Sequence, residues 1–101
     1  MTEEERKTFL DALRVFGSQN QITVALEEMS ELQKELCKYL RNDASFSYAN
    51  ITEEMADVEI MLDQMKILFQ RDSAVEEQRQ YKVKRLRERI DKNVRLQVVH
   101  G

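Results

Sequence analysis

Apolar residues recur along this chain at intervals of three and four. Ile22, Ala25, Met29, Leu32, Leu36 and Leu40 fall on one helical face, and Ile51, Met55, Val58, Leu62, Met65 and Phe69 fall on another. The pattern predicts two amphipathic core helices, each on the order of 30 Å long, which is enough for them to pack along one another as a bundle. Helix starts are marked where a capping residue is followed three positions later by Glu or Gln, so that two side chains satisfy orphan amides reciprocally. Four such pairs occur: Thr2 with Glu5, Ser18 with Gln21, Asn50 with Glu53, and Ser73 with Glu76. Gly17 reads as the stop of the first helix. The expected map is therefore helices over about 3–16, 19–41, 51–70 and 74–95. Between the second and third, Asn42 to Ala49 is a loop rich in Ser, Asn and Asp, pinned by Phe46 and Tyr48.

Composition narrows the class. The 101 residues include no Pro and two Gly, and good helix formers dominate, so the fold class is all-α, a four-helix bundle. That length suits one compact domain over 1–101. No apolar run approaches the ~20 residues that span a bilayer, and the first residues carry neither a signal-peptide core nor a twin-arginine pair. No membrane partner is expected, and the localisation is read as cytoplasmic. Cys37 is the single cysteine, which excludes an internal disulfide and a thiolate metal site; it is read as a small core or interface residue.

The net charge of −3 hides a division along the chain. Residues 1–78 hold 8 basic and 17 acidic side chains, a balance of −9, whereas residues 79–101 hold 8 basic and 2 acidic, a balance of +6. The acidic part also repeats itself. Leu26-Glu27-Glu28-Met29-Ser30-Glu31-Leu32 aligns with Thr52-Glu53-Glu54-Met55-Ala56-Asp57-Val58. Residues three apart on a helix are neighbours, so Glu28 pairs with Glu31 and Glu54 with Asp57. At ~100° per residue Glu28 lies about 40° from Leu32, and Glu54 about 40° from Val58, at the rim of each apolar face. When those faces pack, the four carboxylates can converge, and like charges that close need a compensating cation. An all-oxygen site without His or Cys suits Mg2+, an ion commonly shared with substrate phosphates. The basic helix supplies the opposite charge, with Lys82, Arg85 and Arg89 on one face.

A single Glu-Glu-x-x-Glu run is commonly a solvated helix face, but two such pairs on successive helices are more specific. The residues Glu28-Met29-Ser30-Glu31 and Glu54-Met55-Ala56-Asp57, with their surroundings ALEEMSELQKEL and NITEEMADVEIML, resemble the all-α nucleoside triphosphate pyrophosphatases of the MazG-like kind. That group includes dimeric dUTPases and dCTP pyrophosphatases, and its signature is ExxE, a spacer, then ExxD. The resemblance covers about residues 18–92. It implies that Glu28, Glu31, Glu54 and Asp57 bind Mg2+, with Mn2+ a substitute, and that the bond between the α and β phosphates of a nucleoside triphosphate is split. It further implies catalytic roles for Glu28 and Glu31, with Glu27 orienting the attacking water. Lys82 and Arg85 match the basic helix that follows the ExxD helix in short members and would hold the phosphates. Asn20 and Gln21 are candidates for reading a base edge. A homodimer or homotetramer is expected, because three helices of roughly 20 residues present more apolar stripe than one small bundle covers.

Two other classes compete. A non-catalytic helical interaction module would use the same charge division to hold an oligomer together. Nucleic-acid binding through the basic helix is disfavoured, since the whole chain is acidic and lacks an arrangement of aromatics for stacking.

Overall fold

The computed structural model describes residues 1–100, which form four helices and no strand. These are α1 (Glu3–Phe16), α2 (Ser18–Leu40), α3 (Tyr48–Leu68) and α4 (Asp72–His100). The chain makes two compact units, Met1–Gln70 with α1 to α3 and a second that begins at Arg71 and holds α4.

The helix starts follow backbone chemistry, and three differ from the sequence reading. At α1 the expected box is present: Thr2 N donates to Glu5 Oε1 at 2.7 Å and Glu5 N donates to Thr2 Oγ1 at 3.0 Å. Gly17 ends α1 as expected, with its N–H donating to the Leu13 carbonyl at 3.0 Å. Its φ of 88° is one that a side chain disfavours, and it lets the chain turn straight into α2. Ser18 is therefore already helical and does not cap; the cap position is Gly17, which has no side chain to offer. The box expected at Asn50 is displaced by Ser47, whose extended backbone and Oγ, accepting from Asn50 N at 2.9 Å, start α3 at Tyr48. Likewise α4 begins at Asp72 ahead of Ser73, an acidic first residue that suits the positive end of the helix dipole.

Two contacts set the α2–α3 pairing. Gln21 near the start of α2 donates to Gln64 near the end of α3 at 2.8 Å, and Glu35 near the end of α2 accepts from Ser47 N at 3.3 Å. The two helices thus run antiparallel, and α1 packs against both. What they bury is unusual. Phe9, Ala25 and Met61 are the buried apolar side chains, and Gln21, Glu35 and Gln64 are buried beside them. The amides are satisfied locally: Asn20 Nδ2 donates to Gln21 Oε1 at 3.1 Å and Gln64 Nε2 reaches Met61 Sδ at 3.6 Å.

The expectation of two core helices holds only in part. Met29, Leu32, Ile51, Val58 and Met65 are half-buried, but Ile22, Leu36, Leu40, Met55, Leu62 and Phe69 are exposed. Exposed and half-buried positions together form regular stripes. On α2, Ile22, Leu26, Met29, Gln33, Leu36 and Leu40 alternate steps of four and three, and Ile51, Met55, Val58, Leu62, Met65 and Phe69 do the same on α3. Leu26 is 61% exposed and Leu40 78%. Cys37, read as core or interface, is exposed in the single chain.

The buried amide pair gives a direct test. Gln64→Leu should destabilise the fold by about 1–3 kcal/mol by leaving Gln21 without its partner, whereas adding Gln21→Leu should recover most of the loss. Urea unfolding at fixed protein concentration measures both; a neutral single variant would show that the pair contributes nothing.

Candidate metal centre

The antiparallel pairing that joins Gln21 to Gln64 and Glu35 to Ser47 brings the middle of α2 against the middle of α3. There Glu28, Glu54 and Asp57 each turn one carboxylate oxygen into a common space, all three atoms within 4.8 Å of one another. Glu54 and Asp57 are adjacent because a spacing of three closes one helical turn. Glu28 joins them from the facing helix. Glu28 and Glu54 are half-buried, and Asp57 is exposed.

The electrostatics are those of charges crowded without compensation. Burial, and then the charge of Asp57 and a side-chain hydrogen bond with it, raise the pKa of Glu28; Glu54 and Glu31 push in the same direction. Glu54 is raised as well, by burial first, then by Asp57, Glu31, Glu53 and Glu35. One atom stands out: Glu54 Oε2 is buried and accepts no hydrogen bond. A buried acceptor left without a donor is unfavourable, more so when it is charged, and either a proton or a cation would relieve it.

The structure places the remaining candidates individually. Glu31 is exposed and lies outside the three-carboxylate group, although its charge acts on both Glu28 and Glu54. Glu27 is exposed and also outside the group. Gln21 is buried with its amide nitrogen turned to Gln64, while Asn20 is exposed beside it. On α4, Lys82 and Arg85 are exposed, and the Arg85 guanidinium lies 5.8 Å from the Tyr81 ring centre. Arg87 pairs with Asp91 at 2.7 Å.

Sequence reasoning missed Glu35. This buried carboxylate accepts from Ser47 N, and its other oxygen is 3.4 Å from Lys38 Nζ. Because Ser47 is the cap of α3, Glu35 ties the start of that helix to α2 and so sets the register that carries Glu54 to Glu28. The signal was present: Glu35 follows Glu28 by seven residues and Glu31 by four, on the same side of the helix.

The raised pKa of Glu54 has a definite consequence for metal-free protein. Protonation favours the folded state, so this contribution is fully present below the usual glutamate value of 4.5 and is lost as pH rises through the raised value. Glu54→Gln, which cannot ionise, should therefore gain Tm relative to the unsubstituted protein as pH is taken up through that window. A difference in Tm independent of pH would contradict the raised pKa. Set against known proteins, the chain matches no family model, no curated protein and no solved structure, which leaves the carboxylates themselves to carry the functional reading.

Proposed function

We propose that the protein is a Mg2+-dependent nucleoside triphosphate pyrophosphohydrolase of the MazG-like kind, with a role in keeping the nucleotide pool of the cytoplasm. The observation that carries the reading is the convergence of Glu28, Glu54 and Asp57, together with a buried Glu54 oxygen that lacks a donor. Three carboxylates with no His or Cys form a hard oxygen donor set, and Mg2+ or Mn2+ fits it. A divalent cation held there supplies neutralisation of phosphate oxygens and activation of water.

The chain's own groups do the rest. Glu28, Glu54 and Asp57 hold the cation, and Glu31, one turn from Glu28 and exposed, is available to complete the ligand set through its side chain or a water. Glu27, on the adjacent exposed position, is assigned to orient the attacking water. The water oxygen bonds to phosphorus, its proton leaves to a carboxylate, and the bridging bond between α and β phosphates breaks, releasing a nucleoside monophosphate and pyrophosphate. Lys82 and Arg85 are assigned to the polyphosphate on charge and spacing alone.

A second copy of the chain is part of this reading. The stripes of α2 and α3, both stepping by four and three, fit the seam of a four-helix bundle made from two hairpins. A dimer or a dimer of dimers covers Leu26, Leu40 and Phe69, which the single chain leaves 61%, 78% and 57% exposed. These same stripes also favour the competing reading, a non-catalytic interaction module, so the assay must separate chemistry from assembly.

Purified protein is incubated with a panel of nucleoside triphosphates, ribo and deoxy, plus Mg2+, and pyrophosphate and monophosphate are assayed. Hydrolysis is expected, and Asp57→Asn or Glu54→Gln should lower it by on the order of a hundredfold or more with helical content intact, since removing even an outer partner of a metal ligand costs 10- to 100-fold. A sedimenting oligomer that hydrolyses none of the panel would support the interaction module and overturn the enzyme.

A further inference from the structure

The loop end of the α2–α3 hairpin carries a feature that the carboxylate chemistry does not use. Lys38, Tyr39, Asn42, Asp43, Phe46 and Tyr48 line a cavity of about 260 Å³. Phe46 stands edge-on between two tyrosines, 5.3 Å from Tyr39 at 61° and 5.2 Å from Tyr48 at 79°. Its frame is ordered: Asp43 N donates to the Lys38 carbonyl at 2.9 Å, Phe46 N to the Asp43 carbonyl at 3.1 Å, and the Ser45 amide and hydroxyl both donate to Asp43 Oδ1. A loop that needed only an apolar pin would bury its rings. Here Phe46 is half-buried while Tyr39 is 56% and Tyr48 75% exposed, so two flat aromatic surfaces are held fixed and wet.

We infer that this pocket is a nucleobase subsite, an inference that rests on the pyrophosphohydrolase reading for its class of substrate. The size suits a base rather than a whole nucleotide, since sites that enclose entire drug-sized ligands run from ~300 to 1,000 Å³. Every base has a π-face, and stacking on an aromatic side chain is the interaction that exposed tyrosines offer. The Asn42 amide at the rim adds both donors and an acceptor for a base edge. Placement agrees with this use. Tyr39 lies eleven residues beyond Glu28 on α2, so it falls within about 20° of Glu28 around the helix and about 16 Å along it. Glu31 is nearer, about 12 Å away. These are separations along the backbone, so a base on the tyrosines directs its phosphates along the side of α2 that carries Glu28. The exposed rings thus supply a stacking surface in a chain that has no Trp.

The protein, without divalent metal, is titrated with nucleoside monophosphates and with ribose 5-phosphate while backbone amide resonances are followed. Monophosphates should shift resonances across residues 38–48, and ribose 5-phosphate, which has no base, should not. Tyr39→Leu keeps apolar packing but removes the ring, and should weaken monophosphate binding roughly thirtyfold, the middle of the range for one stacked base. It should raise KM for hydrolysis similarly with kcat unchanged, as expected for binding shared by substrate and transition state. Tyr39→Phe should restore both. If Tyr39→Leu fails to fold, Tyr48→Leu carries the same expectation. Hydrolysis by protein whose 38–48 resonances ignore every monophosphate, or a Tyr39→Leu variant with ordinary KM, overturns the subsite and leaves the enzyme standing. Base-dependent shifts in a protein that hydrolyses nothing support the subsite and sink the enzyme instead.

Discussion

Repulsion among three carboxylates is the constraint around which the first unit is arranged. Held with oxygens within 4.8 Å of one another, Glu28, Glu54 and Asp57 would separate if the helices were free to slide. They are not free, because polar contacts at both ends of the α2–α3 hairpin pin its register. The Gln21–Gln64 amide pair closes one end and Glu35 on Ser47 closes the other. The amide pair is buried, and Glu35 is buried against a half-buried Ser47, so a shift of either helix would strand an amide or a carboxylate. The cost is borne at Glu54, whose inner oxygen has no donor and whose pKa is raised by burial and then by Asp57 and the other nearby carboxylates.

This arrangement explains why the hairpin spends its buried face on polar residues and leaves leucines outside. A helix has one face to give to its hairpin partner, and on α2 that face carries Gln21, Ala25, Glu28, Leu32 and Glu35. The apolar stripe from Ile22 to Leu40 is turned aside by roughly a quarter of the circumference, where a second hairpin can reach it. Under the proposed reading, specificity of register comes from the polar face and stability from association, a division consistent with the small core of a unit this size.

Much of this was legible in the chain. Four helices follow from periodicity and composition, and α1 was delimited to the residue because Thr2, Glu5 and Gly17 act locally. The pairing of Glu28 with Glu54 and Asp57 was legible because a short repeat marked both helices. The starts of α2, α3 and α4 were not, since Ser18, Asn50 and Ser73 compete with neighbours, and the winner depends on a positive φ at Gly17 and on where the loop delivers Ser47. Nor could sequence divide the apolar positions into those covered within the chain and those left open. Periodicity identifies a face, whereas the angle at which the hairpin closes decides which edge of that face is used. Glu35 was overlooked for a related reason: its spacing from Glu28 and Glu31 marks its side of the helix, but its partner is a backbone amide, which side-chain spacing does not identify.

Whether Glu28, Glu54 and Asp57 hold a divalent cation, as proposed, is read by titrating Mn2+ into metal-free protein and following free ion by electron paramagnetic resonance. Saturable binding is expected, which Glu54→Gln and Asp57→Asn each weaken strongly, while Glu59→Gln, at an exposed carboxylate on the same helix, leaves it unchanged. Absence of saturable binding at millimolar Mn2+, or equal affinity in the Glu54→Gln protein, would contradict the proposal.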